Sequence, residues 1–492
     1  MCVKRTKENK DYYRRNMMEK RKNWCGFIIL LFCHCFLVIL LPLSCTYFDP
    51  LNPYGDFIYW AKSFGAQDVE EAKAVIYTGE KDFLVAGYTC SFGVAGEDAW
   101  IIKLNQDGNI LWEKAYGTSM NERFHSIQET SDNNLIITGI YNDISSFWVM
   151  KCSQNGDILW EKRFGGIDED ESLWIDETAD GGYCVAGRSN SFGTGNGDAI
   201  VLKFTSNGNI SWIRLYWGSE NDGYEEARVI RASDDGTMVF GGNTFSYGAG
   251  NSDFWVVKLD GTGRVLWGKT YGMTGEERLC SLTQTLDNGF IITGLSKSLD
   301  AVDTPEDEWS YWIIKIDAEG HIQWEKAIIC RALTGKWTDY FNAADETEEG
   351  RYVVAISTPG SGEGSSDIRV LKFDAEGSVL WQKAYGGAEN DHVWAVREAK
   401  DGGYIAVGKT CSFDVEKADS WIVKILPNGR CHPLGEDTNM KVVATSCTVT
   451  EAVPESHQYI SSTDIDSVIS VIPAASTVTV TSCTVRQQAP RE

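Results

Sequence analysis

A tryptophan followed two residues later by lysine or arginine recurs seven times in this chain. The pairs are Trp60/Lys62, Trp112/Lys114, Trp160/Lys162, Trp212/Arg214, Trp267/Lys269, Trp324/Lys326 and Trp381/Lys383. Successive tryptophans stand 52, 48, 52, 55, 57 and 57 residues apart. A period near 50, held from residue 58 to 431, means one supersecondary unit repeated seven times. Shared residues then serve the scaffold, and unshared residues carry whatever the protein does.

The unit from Ile158 to Gly208 reads as four strands. Ile158–Phe164 alternates and is rich in aromatics, Trp174–Thr178 and Tyr183–Gly187 flank an Asp-Gly-Gly turn, and Asp198–Phe204 follows a glycine-rich loop. An acidic loop, Gly165–Glu171, separates the first two. Four antiparallel strands per repeat predict an all-β, seven-bladed β-propeller. The first strand, Ile58–Phe64, has no partner before it, and the last unit supplies only three strands, ending at Ser420–Ile425. Joining one N-terminal to three C-terminal strands closes the ring and removes its exposed edges. The recurring indoles are expected to pack between blades, each N–H finding a carbonyl.

Asp98-Ala-Trp-Ile-Ile-Lys-Leu104 and Trp381-Gln-Lys-Ala-Tyr-Gly-Gly387, with the Asp-Gly-Gly-Tyr and Ser-Phe-Gly elements between, resemble the seven-bladed propeller repeat called SBBP. The resemblance covers about three-quarters of the chain and implies an exported surface protein of the bacterial or archaeal kind. It implies no activity, since one fold hosts many functions.

Outside the repeats, Lys20-Arg21-Lys22 precedes an apolar run from Gly26 to Leu43 and then Ser44-Cys45. That order is an export signal, or an anchor long enough to span a bilayer. Leu41-Pro-Leu-Ser-Cys45 resembles a lipoprotein box, with Cys45 as the lipidation candidate and Pro42 out of pattern. The expected organisation is a signal or anchor over 1–45, a linker over 46–57, the propeller over 58–431 and a Ser/Thr/Val-rich tail or small strand appendage over 432–492. Export favours the cell envelope or its exterior, and membrane contact through the N-terminal segment only. It also permits a disulfide between Cys447 and Cys483. Net charge is −25, and residues 1–22 alone carry +6. Such a surface repels phosphate backbones and argues against nucleic acid. The propeller is expected to be a monomer with a protein or carbohydrate ligand.

The acidic and glycine-rich loops fall at one end of the strands and the tight turns at the other. The loop end is the expected binding face. Its candidates are Asp168, Asp170, Asp222, Glu225, Glu277 and Asp391. The unit that departs from pattern over Ile328–Asp339 adds Arg331 and Trp337. Calcium takes six to eight oxygen ligands, and Asp168 and Asp170 form the densest local pair for it. Without such a cation, these carboxylates are expected to pair with the Lys/Arg that follows each Trp. An enzyme is the rival class: a glycan hydrolase or lyase, or a quinone-type dehydrogenase, using those carboxylates. Gly-x-x-x-Trp resembles the tryptophan-docking element of quinone dehydrogenases, but their eight blades and adjacent Cys-Cys pair are absent from this sequence. No nucleophile elbow, His-Glu-x-x-His or phosphate loop occurs.

Overall fold

The computed structural model describes residues 59–141, 146–193, 197–218, 223–298, 309–328, 342–358, 366–413 and 417–431, and six short backbone stretches beyond Cys431. The described residues contain strands and turns and no helix. The apolar N-terminal run with Cys45, the loop residues Asp222, Arg331 and Trp337, and Cys447 and Cys483 lie outside them.

β1 (Trp60–Gly65) opens the ring. Blade 1 is β2 (Glu70–Tyr77), β3 (Phe83–Thr89), β4 (Asp98–Leu104) and β5 (Ile110–Gly117). Blade 2 is β6 (Glu122–Glu129), β7 (Leu135–Tyr141), β8 (Ser146–Cys152) and β9 (Ile158–Phe164). Blade 3 is β10 (Asp170–Glu177), β11 (Tyr183–Ser189), β12 (Asp198–Phe204) and β13 (Ile210–Tyr216). Blade 4 is β14 (Glu225–Ala232), β15 (Met238–Thr244), β16 (Asp253–Leu259) and β17 (Val265–Gly272). Blade 5 is β18 (Glu277–Gln284), β19 (Phe290–Ser296), β20 (Ser310–Ile316) and β21 (Ile322–Ile328). Blade 6 is β22 (Asn342–Glu346), β23 (Tyr352–Thr358), β24 (Asp367–Phe373) and β25 (Val379–Tyr385). Blade 7 is β26 (Asp391–Glu398), β27 (Tyr404–Thr410), β28 (Asp419–Ile425) and β1. The register Trp60↔Lys424 to Phe64↔Ser420 closes the ring by one plus three strands, as the phase of the repeat predicts.

Tryptophans of the outer strands hold neighbouring blades together. Trp60, Trp112, Trp212, Trp324 and Trp381 donate from Nε1 to carbonyls of Gln106, Gln154, Gly261, Ala375 and Pro427, each in the next blade's outer turn. Tyr116, Tyr216, Tyr271 and Tyr385 donate to the glycine carbonyl of the same turn. The lysine after each Trp was expected on the acidic face, and here the structure corrects the sequence reading. Lys62 Nζ donates to the carbonyls of Asp107 and Gly108, and Lys114 pairs with Asp157 at 2.8 Å. A strand side chain two residues past the Trp lies on the same sheet face, so it reaches the same turn.

Beyond Cys431 the chain runs back around the ring. β29 (Glu436–Asp437), β30 (Val442–Ala444) and β31 (Thr448–Glu451) pair antiparallel with β25, β21 and β17. β32 (Ile472–Pro473), β33 (Thr479–Ser482) and β34 (Arg486–Gln488) pair with β9, β5 and β1. These strands use the outer-edge N–H and C=O groups that a bare blade leaves open.

Candidate functional site at the channel mouth

Seven inner strands surround the axis, and six of them share one irregularity. The pairing of β2 with β3 slips between Ala72 and Ala74, and the same slip recurs in β6, β10, β14, β18 and β26. The residue left over is Lys73, His125, Leu173, Arg228, Cys280 or Trp394. A bulge bends its strand and re-aims one side chain. Lys73, Cys280 and Trp394 line a small cavity whose walls come from six blades, which puts them on the axis.

The first residue of six inner strands, all but β22, is acidic and does something else. The sequence reading placed these acids in loops, but β10 begins at Asp170 and β18 at Glu277. The bulge lets each strand start that early. Glu70, Asp170, Glu277 and Asp391 accept from the amides of Ala66, Gly166, Met273 and Gly387 in the preceding loop. Thr89, Ser189, Thr244, Ser296 and Thr410 donate hydroxyls to Glu70, Asp170, Glu225, Glu277 and Asp391. These buried carboxylates clasp the loops to the sheet. Asp170 is buried while Asp168 is exposed, so the two do not share surroundings. Among the described residues, no three acid, His or Cys side chains converge as a metal site would require.

Position two of the inner strand and the facing residue of the second strand vary from blade to blade. They form a chain of charges along the inner rim. Glu71 accepts from Tyr88 at 2.7 Å and pairs with Lys73 at 3.2 Å and Lys409 at 3.7 Å. Arg123 pairs with Glu97 and lies over Tyr88. His125 Nδ1 donates to the Ser172 carbonyl, and Glu171 stands 3.9 Å from the ring. Arg188 donates to Tyr224, which donates to Glu226, which pairs with Arg228. Arg278 pairs with Glu276 and lies over Phe245; Lys297 pairs with the same Glu276 and lies over Trp309.

Burial sets the electrostatics. Burial alone would raise Glu71, but Lys73, Lys409 and Tyr88 outweigh it and hold the carboxyl at about 2. Burial brings the Lys73 ammonium down to about 8 against the pull of Glu71. Its Nζ sits 3.1 Å from the Trp394 ring centroid, a desolvated cation–π contact. Burial also lowers His125, against Glu171.

At the other end of the ring, the short turns enclose a cavity of about 1020 Å³. The sequence reading had no signal for it. Three of its carboxylates staple blades: Glu346 accepts from the Leu286 amide, Glu398 from the Glu348 amide and Asp345 from the Glu398 amide.

No family model matches the chain, and no curated protein matches it in sequence. Solved structures resemble it distantly. The α-L-arabinofuranosidase Arb93A from Fusarium graminearum aligns at 11% identity and TM-score 0.38, over 61% of this chain and 92% of its own. The polysaccharide lyase Uly1 aligns at 9% and 0.40, over 72% and 90%. Drosophila Plexin A, in complex with Semaphorin 1b, aligns at 8% and 0.36, over 75% and 86%. The propeller fold itself is established by the strand pairing of this chain.

Proposed function

We propose that this propeller is a binding module that seats a carbohydrate at the inner rim of its channel. One observation carries the reading. Donors (Lys73, Arg123, Arg188, Arg228), acceptors (Glu71, Glu171, Glu226) and aromatic faces (Tyr88, Tyr224, Trp394) alternate along a single rim. Sugar hydroxyls both donate and accept, and their C–H faces stack on aromatic rings. Binding sites commonly combine an aromatic lining with a few convergent polar groups. The export-like N-terminus, the Cys45 box and the SBBP resemblance support a place at the cell envelope, where glycans are encountered.

The enzyme alternative draws on Lys73, which burial brings down to about 8, toward the range a general base uses, with the imidazole of His125 on the neighbouring inner strand. A panel of neutral and acidic oligosaccharides, titrated calorimetrically against purified protein, separates the two. The binding reading expects one class to bind without turnover and to lose at least tenfold in affinity in Tyr224→Ala and Arg188→Ala, at unchanged melting temperature. No binding by any member, or equal binding by both variants, would sink it. Release of product chains would replace it with the enzyme.

A further inference from the structure

Away from the channel mouth, carboxyl groups meet in pairs at the borders between blades. At these borders the third strand of one blade starts on Asp, and the inner strand of the next starts on Glu or Asp. Asp98 faces Glu122, Asp253 faces Glu277, Asp367 faces Asp391 and Asp419 faces Glu70. Asp98 and Asp253 are 1% exposed, and Glu70, Glu122, Glu277 and Asp391 are fully buried.

One glycine at the end of each outer strand separates the two acids. A methyl group on Gly272 would overlap Asp253 and stand 2.8 Å from Glu277 Oε2. On Gly117 it would overlap Asp98 and stand 3.0 Å from Glu122 Oε2. On Gly386 it would overlap Asp367 and stand 3.0 Å from Asp391 Oδ2, and on Gly65 it would overlap Asp419 and stand 2.6 Å from Glu70 Oε2. The carboxyls of each pair therefore crowd one small space.

The donors around them are already committed. Thr118 N and Oγ1 both donate to Glu122, and Val94 N to Asp98 Oδ2. Met273 N donates to Glu277 and Gly250 N to Asp253 Oδ2. Asp98 Oδ1 and Asp253 Oδ1 are buried with no hydrogen-bond partner. Nearby cations are occupied: Arg123 with Glu97, Lys417 with Asp68, Arg278 and Lys297 with Glu276. Glu276 adds negative charge beside Glu277, and among the described residues the hydroxyls of Thr410 and Ser412 clasp Asp391. The surrounding groups are N–H and O–H donors, which suit an anion and do not supply the oxygen shell of a divalent cation.

Two like charges in one dry site cannot both ionise at neutral pH. A proton on one acid converts the orphaned oxygen into half of a carboxyl–carboxylate hydrogen bond. We propose that each of these four borders holds one proton shared between its two acids, so that the ring takes up protons when it folds and its cohesion depends on pH. In line with this, burial, then the partner acid, raises Asp98, Asp253 and Asp391 to about 6 and Asp419 to about 7. Folded values above the unfolded ones mean a contribution complete below about pH 4 and lost as pH rises through 6 to 7. His125 and Lys73, both lowered by burial, oppose this trend, Lys73 toward pH 8.

The test is urea unfolding of the full chain at pH 6 and pH 8, with Asp98→Asn, Asp253→Asn and the double variant. The folding equilibrium should favour the native state more at pH 6, by up to ~10-fold per pH unit for each pair that titrates. Each Asn supplies an N–H to its partner, so each variant should lose part of that slope and be no less stable than the parent at pH 8. Parent stability that is flat or rises from pH 6 to 8 overturns the proposal. So do variants equally destabilised at both pH values. Calcium that stabilises the parent at pH 8 but not the variants would overturn it in favour of a cation. Infrared spectroscopy of the parent needs no variant: a protonated-carboxyl band must persist at pH 6, and its absence refutes the shared proton.

Discussion

Trp60 Nε1 donates a hydrogen bond to the carbonyl of Gln106, 2.8 Å away. Trp60 belongs to blade 7 and Gln106 to blade 1, so this bond ties the blade that closes the ring to its neighbour. Trp60→Phe keeps part of the apolar contact and loses the bond, which alone is worth about 1 kcal/mol. Trp60→Ala also opens a cavity, at about 3–5 kcal/mol. Urea midpoints of the two variants check the order; equal losses would mean that the hydrogen bond, and not the packing of the indole, holds the border.

Gly108 sits under that indole with φ +70°, and a methyl group there would stand 2.6 Å from Trp60 Cε2. Gly236 has φ +82° with nothing within 4 Å. Gly236→Ala should cost about 1–2 kcal/mol for left-handed backbone alone. Gly108→Ala should cost about 1–3 kcal/mol more through overpacking. Thermal melts of the pair isolate the contact between blades.

Glu71 is buried among Lys73, Lys409 and Tyr88. Glu71→Gln removes the counter-charge and leaves the ammonium of Lys73 buried, so the variant should lose about 3–5 kcal/mol at pH 7. The folded value, about 2, lies below the unfolded one. The contribution of Glu71 is thus complete above pH 5 and disappears as pH falls toward 2. Denaturant curves of parent and variant should converge over that window; a gap that is constant with pH would show that the carboxylate charge does not matter.

Ending the chain after Cys431 removes β29 to β34 and bares six outer edges at once. The shortened protein should melt lower and associate with rising concentration, because open edges template further pairing. Sedimentation velocity across a concentration series measures this. A monomer with the parent's melting temperature would mean that the tail strands add no stability.

Much of the ring is legible in the sequence. Trp-x-Lys marks the outer strand because the indole and the lysine both address the next blade's turn, and that need recurs at every border. The inner strands were harder to read. Asp170, Glu277 and Asp391 looked like loop acids because a bulge interrupts the alternation just after them. Aligning the inner strands offers the missing signal: position one is acidic in six of the seven, while Glu71-x-Lys73, Glu226-x-Arg228 and Glu276-x-Arg278 set opposite charges two residues apart.

The sequence by itself determined the blade count, the strand phase and the one-plus-three closure. All three follow from local periodicity, which repeats the same burial demand in every unit. Tertiary structure alone decided which polar residues meet. Glu71 finds Lys409 and Arg188 finds Tyr224 because the ring bends every inner strand around one axis. The crowded acid pairs arise the same way, since Asp419 and Glu70 lie 349 residues apart and become neighbours only when the ring closes.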